Sequence, residues 1–116
     1  MAVVGTIKLT NNGHFVARLG LRWIDPNGNA GSCPPDGQGD IDEGQSGSID
    51  PGSVGCPESS QVWPWVDVVW GDDKSGSEAD GLVFQSGIAY AAEYTISGTT
   101  LDDHLSFEGV APTSTG

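Results

Sequence analysis

The sequence predicts an all-β fold, a small antiparallel β-sandwich with long Gly/Pro-rich loops. Three observations carry that expectation. Apolar residues recur at every second position in several short runs, the period of a strand with one buried face. No stretch sustains a helical period. Eighteen glycines and seven prolines, with Asn and Asp among them, cut the chain at short intervals, which is the punctuation of many short strands. A chain of 116 residues can bury roughly two thirds of its unfolded surface as one domain. That domain is expected over residues 1–110, with a flexible tail over 111–116.

Residues 3–10 read as a first strand, ended by Asn11-Asn12-Gly13, whose Asn-Gly pair is a hairpin turn signal. Residues 15–23 alternate most clearly. Phe15, Ala17, Leu19, Leu21 and Trp23 share a core face, while Val16, Arg18, Gly20 and Arg22 share the other. Arg18 and Arg22 are half of the 4 cations set against 16 acids. They are expected to pair with carboxylates of neighbouring strands, each pair contributing about 0–1 kcal/mol. Asp25-Pro26-Asn27-Gly28 is a turn by composition. Residues 28–47 form a long polar loop with Ile41 as its only large aliphatic side chain, and residues 47–50 form a short strand before the turn Asp50-Pro51-Gly52.

The run QVWPWVDVVW, residues 61–70, carries three of the four tryptophans. Val62, Val66, Val68 and Trp70 would face inward, and Trp63, Trp65, Asp67 and Val69 outward. Pro64 removes a ladder donor, which places this strand at a sheet edge or a bulge. An outward Trp63/Trp65 pair is an aromatic platform suited to sugar rings or a lipid interface, unless the long loop folds over it as a second small core. Residues 71–81 are an acidic, Gly-rich loop. Asp72, Asp73, Glu78 and Asp80 are calcium candidates by their hard oxygen ligands, although their spacing matches no EF-hand. Residues 82–85 form a short strand.

The last long run spans residues 87–107. Ile88, Tyr90, Ala92, Tyr94 and Ile96 take one face, and Ala89, Glu93, Thr95 and Ser97 the other. Gly98 breaks the strand. Thr99, Thr100 and Leu101 form its tip, and Asp102 and Asp103 turn the chain back. A leucine set between hydroxyls and carboxylates reads either as a contact point or as a plug folded over the end of the sandwich.

Charge narrows the partners. A net charge of −12 repels phosphate backbones and anionic headgroups. Nucleic acid is therefore excluded, and membrane contact needs neutral lipids, sterols or glycans. No run approaches the ~20 apolar residues of a spanning helix, and MAVVGTIKLTNNG shows no signal peptide. Cys33 and Cys56 lie in strand-poor sequence (GSCPPDG and SVGCPES), where a disulfide between them is expected. It would add about 3 kcal/mol in the chain-entropy model and implies an oxidising, extracellular compartment. Two cysteines and two distant histidines make a poor metal set. His14 and His104 sit beside turns without a nucleophile motif, and no Gly-rich phosphate loop precedes a helix. The expectation is a non-enzymatic protein without a cofactor.

Two stretches carry a family resemblance. FVARLGLRW, residues 15–23, resembles the opening hairpin of the C-terminal membrane-binding β-sandwich of the cholesterol-dependent (thiol-activated) cytolysins. YTISGTTL, residues 94–101, resembles that domain's closing strand and loop, and Thr100 and Leu101 fall on the Thr-Leu pair of its sterol-recognition motif. Residues 46–51 and 66–70 fit the same strand order loosely, so the resemblance spans residues 3–108 as a stand-alone single domain. Where the cytolysins carry a tryptophan-rich loop of eleven residues, this chain reads WGDDKSGSEADG and keeps only Trp70. The resemblance implies neither a pore-forming domain nor a deeply inserting loop in this chain. It does imply recognition of cell-surface glycans, a role known for some members.

The expected function is non-enzymatic cell-surface recognition by a secreted protein, lectin-like glycan binding first. Trp63, Trp65, Trp70, Thr99, Thr100, Leu101, Asp102 and Asp103 are its candidate ligand-binding residues. The alternatives are sterol-dependent membrane binding through Thr100 and Leu101, and service as the membrane-targeting partner of a pore-forming toxin. Edge strands such as the Trp63–Trp70 run could also pair across a homo-oligomer.

Overall fold

Ten strands form where the alternation is strongest or where a short polar run finds an edge to pair with. In the computed structural model, which describes residues 1–113, they are β1 (Ala2–Val4), β2 (Thr6–Gly13), β3 (Ala17–Ile24), β4 (Ala30–Cys33), β5 (Ser46–Ile49), β6 (Gln61–Val68), β7 (Asp73–Ser75), β8 (Leu82–Phe84), β9 (Tyr90–Thr99) and β10 (Asp102–Pro112). One sheet has the order β1-β8-β6-β3-β4, with β7 also pairing β6. The other has the order β10-β9-β2-β5. The all-β sandwich expected from the sequence is what forms, with the long loops at its rim. Strand β10 runs through Pro112, and residues 114–116 of the expected tail lie outside the described residues.

Both sheets are mixed, where the sequence led to the expectation of antiparallel pairing throughout. β1 pairs β8 in parallel, and β2 pairs β9 in parallel. The N-terminal strands thus follow β8 and β9 from one sheet into the other. The crossing is tight at Gly5, whose N–H donates to Tyr90 O at 2.9 Å and where an added Cβ would meet the Ile88 carbonyl. Any side chain there would push the two crossings apart.

One core fills the space between the sheets. It takes Val4, Ile7 and Leu9 from β1 and β2, Ala17, Leu19 and Leu21 from β3, Val62, Val66 and Val68 from β6, and Ala92, Tyr94 and Ile96 from β9. Those are the alternating positions of the sequence, with one exception. Tyr90, expected on the same face as Ala92, Tyr94 and Ile96, is exposed at the start of β9, where Ala91 and Ala92 are both buried. Ile41, the lone aliphatic of the long loop, is 7% exposed and bridges back to Ala17. The loop is therefore pinned at its middle, and its first part forms the edge strand β4.

Three expectations are corrected here. Asn11-Asn12-Gly13 makes no hairpin. β2 continues through it, and β3 joins the opposite sheet. The Asn11 side chain explains this. It is fully buried, its Nδ2 donates to Phe15 O at 2.7 Å and Ile41 O at 2.9 Å, and its Oδ1 accepts from Gly13 N at 2.9 Å. Its amide serves the crossover instead of a turn.

Pro64 does not place β6 at an edge. β6 lies inside its sheet, between β3 on one side and β8 and β7 on the other. β8 pairs only Gln61, and β7 pairs Trp65 to Asp67. Pro64 O accepts from Gly76 N at 3.0 Å, so its donor-less nitrogen faces the gap between these neighbours. There the missing N–H costs the ladder nothing. The strands paired on one side only are β1, β4, β5, β7 and β10, so β6 offers no free edge for the expected homo-oligomer pairing.

Cys33 and Cys56 are not bridged; both are free thiols. Cys33 ends β4 opposite Leu21, while Cys56 follows the short 3₁₀ turn Pro51–Val54 and is buried in the core. Apolar burial, which the sequence around Cys56 did not promise, takes the place of the bond.

Replacing Asn11 by Ala leaves two buried carbonyls and one amide without their partner, at about 1–3 kcal/mol for an unsatisfied group. Urea unfolding of Asn11→Ala is expected to show a lower midpoint with an unchanged slope. A midpoint equal to wild type would remove Asn11 as the crossover anchor.

Candidate functional site

Two loop tips meet at one end of the sandwich. β9 and β10 pair up to Thr99↔Asp102, which leaves Thr100-Leu101 as a two-residue hairpin loop. Gly98, at φ +98°, supplies a backbone twist that a side chain resists, and an added Cβ would meet the Asp102 carbonyl. Leu101 is 95% exposed. It is not a plug.

The second tip follows β6. Gly71 N donates to Val68 O at 2.8 Å and closes a four-residue turn with Trp70 in its third position. Trp70 has φ +71°, where turns favour Gly or Asn. A bulky residue held there costs about 1–3 kcal/mol. That turn swings Trp70 out of the inward register expected for it and leaves it 93% exposed. The two tips touch through their backbones, since a Cβ on Gly71 would lie 2.7 Å from Thr100 O.

Beneath the tips sits an ion pair. The Asp103 side chain is 2% exposed, and the Lys74 ammonium stands 3.3 Å from its Oδ1. Neither Asp103 oxygen has a hydrogen-bond donor among the described residues. Asp103 thus faces inward and joins β10 to β7, one strand from each sheet. Asp102 is exposed and lies 3.2 Å from His104 Nε2. Thr99 is exposed and Thr100 half-buried.

Trp63 and Trp65 lie elsewhere, on the outer face of the six-stranded sheet, both half-buried. Trp65 donates Nε1–H to Asp73 Oδ2 at 3.0 Å, and the Arg22 guanidinium carbon lies 4.1 Å over its ring. Trp65 is therefore covered. Trp63 instead lines an open groove of about 360 Å³ with Arg22, Trp23, Ile24, Ser32 and Glu78. Sequence reasoning missed this groove because residues 30–33 looked like loop. Their pairing with β3 (Arg22↔Ser32, Trp23↔Gly31) is what builds its wall. The structure thus divides the eight candidate residues: Trp70, Thr99, Thr100, Leu101 and Asp102 gather at the tips with Asp103 buried beneath them, and Trp63 and Trp65 lie on the sheet face.

Arg18 meets its expected carboxylates, with Nε 2.7 Å from Asp40 Oδ1 and Nη1 3.9 Å from both Asp36 and Asp67. Arg22 does not; it stacks instead. The calcium candidates are dispersed. Asp73 holds Trp65, Asp80 accepts from Tyr94 Oη at 2.6 Å and closes a capping box with Ser77, and Glu78 borders the groove. Among the described residues no group of three acidic, His or Cys side chains is placed to hold a metal ion. The carboxylate partner of His14 is Glu43, at 3.2 Å.

No protein-family model matches the chain, and no curated protein does. Solved structures do. A Gram-negative toxin aligns over 90% of this chain and 22% of its own, at 18% identity and a TM-score of 0.51. Listeriolysin O aligns over 90% and 22%, at 16% identity and 0.49. A disulfide-locked mutant of intermedilysin solved with human CD59 aligns over 92% and 24%, at 17% identity and 0.48. The chain thus spans roughly a fifth to a quarter of these proteins. The resemblance to the cytolysin sandwich domain holds at the level of fold. No described helix is long and apolar enough to cross a membrane.

Burial pushes the Cys56 thiol up to about 11, so its reactive thiolate stays scarce at neutral pH. With no reductant present, denatured protein is expected to titrate two thiols, while native protein at pH 8 reacts first at the less buried Cys33. A denatured count of zero would restore the bridge. Lys74→Met strips the buried Asp103 of its counter-charge and is expected to cost about 1–3 kcal/mol, lowering the thermal midpoint. Lys74→Arg, which keeps the charge, should restore most of that loss.

Proposed function

We propose that this domain is a membrane-surface recognition module that docks end-on, placing Trp70 and Leu101 in the interfacial region of a neutral, sterol-containing bilayer. One observation carries the reading: the two most exposed large apolar side chains among the described residues, Leu101 and Trp70, stand on touching tips at one end of the fold. An isolated exposed leucine is ordinary. A fully exposed leucine beside a strained, fully exposed tryptophan points to a partner surface. The fold shared with a Gram-negative toxin, and the Thr100-Leu101 pair at the tip, support sterol as part of that surface.

Magnitudes set the mode of binding. Burying Leu101 contributes about 1.5–3 kcal/mol, and Trp70 adds a comparable amount at an interface. Two such tips hold one domain only marginally, as a single acyl chain would, so stable attachment needs several copies on one surface. The net charge of −12 keeps the module off anionic leaflets.

Glycan recognition, with cell-surface sugars as partners, is favoured by a different place, the groove beside Trp63. Lectin-like binding is therefore the second reading, and it does not involve the tips.

Co-sedimentation with phosphatidylcholine vesicles, with and without cholesterol, tests the first reading. Wild type is expected to pellet with cholesterol vesicles, less so when anionic lipid is added. Leu101→Asp should abolish pelleting and Trp70→Ala should weaken it by at least about tenfold. Leu101→Asp pelleting like wild type would overturn the reading.

A further inference from the structure

The groove beside Trp63 holds two charged groups, Arg22 and Glu78, that no ion pair engages among the described residues. It lies on the outer face of the six-stranded sheet, seven residues before Trp70 along the chain, and so roughly 20 Å from the tips at the rise of a strand. Arg22, Trp63 and Ser32 form one cross-strand row in it. Ile24, on the same strand face as Arg22, closes the apolar side and Glu78 stands at the border, while the Trp23 side chain turns to the core side over Gly31.

Its electrostatics differ from those of the surroundings. Arg18, on the same strand face, is ringed by three carboxylates. Arg22 has none within ion-pair distance among the described residues, and its guanidinium is held over Trp65 instead. Glu78 likewise has no cation at that distance among the described residues, since Lys74 is engaged by Asp103. The groove therefore offers an immobilised donor fork, a free acceptor, a hydroxyl and an indole surface, in a volume of about 360 Å³. That volume falls in the range of small-molecule sites.

Each ligand class meets this set differently. A lipid tail would strip water from Arg22 and Glu78 and return nothing. An anionic ligand would satisfy Arg22 but face Glu78 and the −12 field. A quaternary ammonium would suit the Trp63 indole and Glu78 but face the guanidinium. A polyhydroxylated neutral ring conflicts with none of these groups. Its hydroxyls donate to Glu78 and accept from Arg22, and its C–H face lies on Trp63.

We infer that this groove binds one neutral pyranose residue, the end of a cell-surface glycan, with Trp63 as stacking face, Arg22 as donor and Glu78 as acceptor. The inference rests on the glycan reading of the groove and specifies its ligand. Together with the tips it makes the domain a two-point reader, in which sugar and bilayer are engaged at separate places.

The test is calorimetric titration of the full chain with methyl glycosides of three kinds: neutral hexopyranosides, a uronide and an amino sugar. One or more neutral glycosides should saturate in the millimolar range, with the uronide and amino sugar at least about tenfold weaker. Trp63→Ala should lower affinity by at least about tenfold and Glu78→Gln by several-fold, with Tyr90→Ser, on the other sheet, unchanged. If Trp63→Ala fails to fold, Glu78→Gln at its exposed position carries the test. Binding of the uronide or amino sugar alone would overturn the neutral-sugar assignment while leaving the glycan reading intact. Binding of no glycoside would overturn both. Neutral binding unaffected by Glu78→Gln and Trp63→Ala would remove this groove as its site.

Discussion

The buried amide of Asn11 is the joint on which this sandwich turns. A chain passing from one sheet to the other leaves backbone groups that no ladder satisfies, and burying them unpaired would cost more than the neighbouring apolar contacts return. Asn11 takes up three of these groups with one side chain. It also ties residues 11–15 to Ile41, so the crossover and the long loop are fixed together. The joint lies at the end of the molecule where Gly13 pairs Gly98 and Val69 N donates to Val16 O at 2.9 Å. Both exposed tips rise from that end.

A rigid base explains how two apolar side chains can stand in water without collapsing onto the fold. β6–β7 and β9–β10 belong to different sheets, and nothing in sheet pairing holds their turns side by side. The Lys74–Asp103 contact does, aided by the approach of Gly71 to Thr100. A buried carboxylate with one charged partner is a poor device for stability, because desolvation offsets much of the attraction. Its value lies in geometry. Moving either turn outward would leave Asp103 dry and unpaired, so the tips keep one spacing. The positive φ of Trp70 works in the same direction, since a strained residue persists only where its surroundings hold it.

Much of this was legible in the sequence, and the exceptions share a cause. The core faces of β3, β6 and β9 follow directly from alternation, as do the carboxylate partners of Arg18 and the protruding Thr100-Leu101 turn. The misreadings arose where a local signal was answered by a distant group. Asn12-Gly13 means a turn unless the side chain of the preceding Asn11 finds carbonyls four and thirty residues away. Pro64 means an edge unless the neighbouring strands change over at that residue. Trp70 continues an inward register unless Gly71 must fit under Thr100. Cys56 suggests a bridge unless the 3₁₀ turn before it folds it into the core. The groove was hidden for the same reason, since its wall is a strand of Ala, Gly, Ser and Cys whose composition signals nothing until it pairs with β3.

Charge then separates what the two surfaces can do. Of the four cations, Arg18 is consumed by surface carboxylates, Lys74 by Asp103 and Arg22 by the Trp65 ring. Little positive charge is left to face a membrane, and at physiological salt repulsion from an anionic leaflet acts over roughly 8 Å, the range at which the tips would first touch. Approach is therefore unfavourable except on neutral surfaces, and the tips alone hold a single domain only marginally. A second, weak contact on the same cell surface changes that arithmetic, because a tethered site binds at the effective concentration set by the first. The groove proposed for a neutral ring would be such a contact. It would need no affinity of its own beyond the millimolar range to make the proposed end-on docking persist.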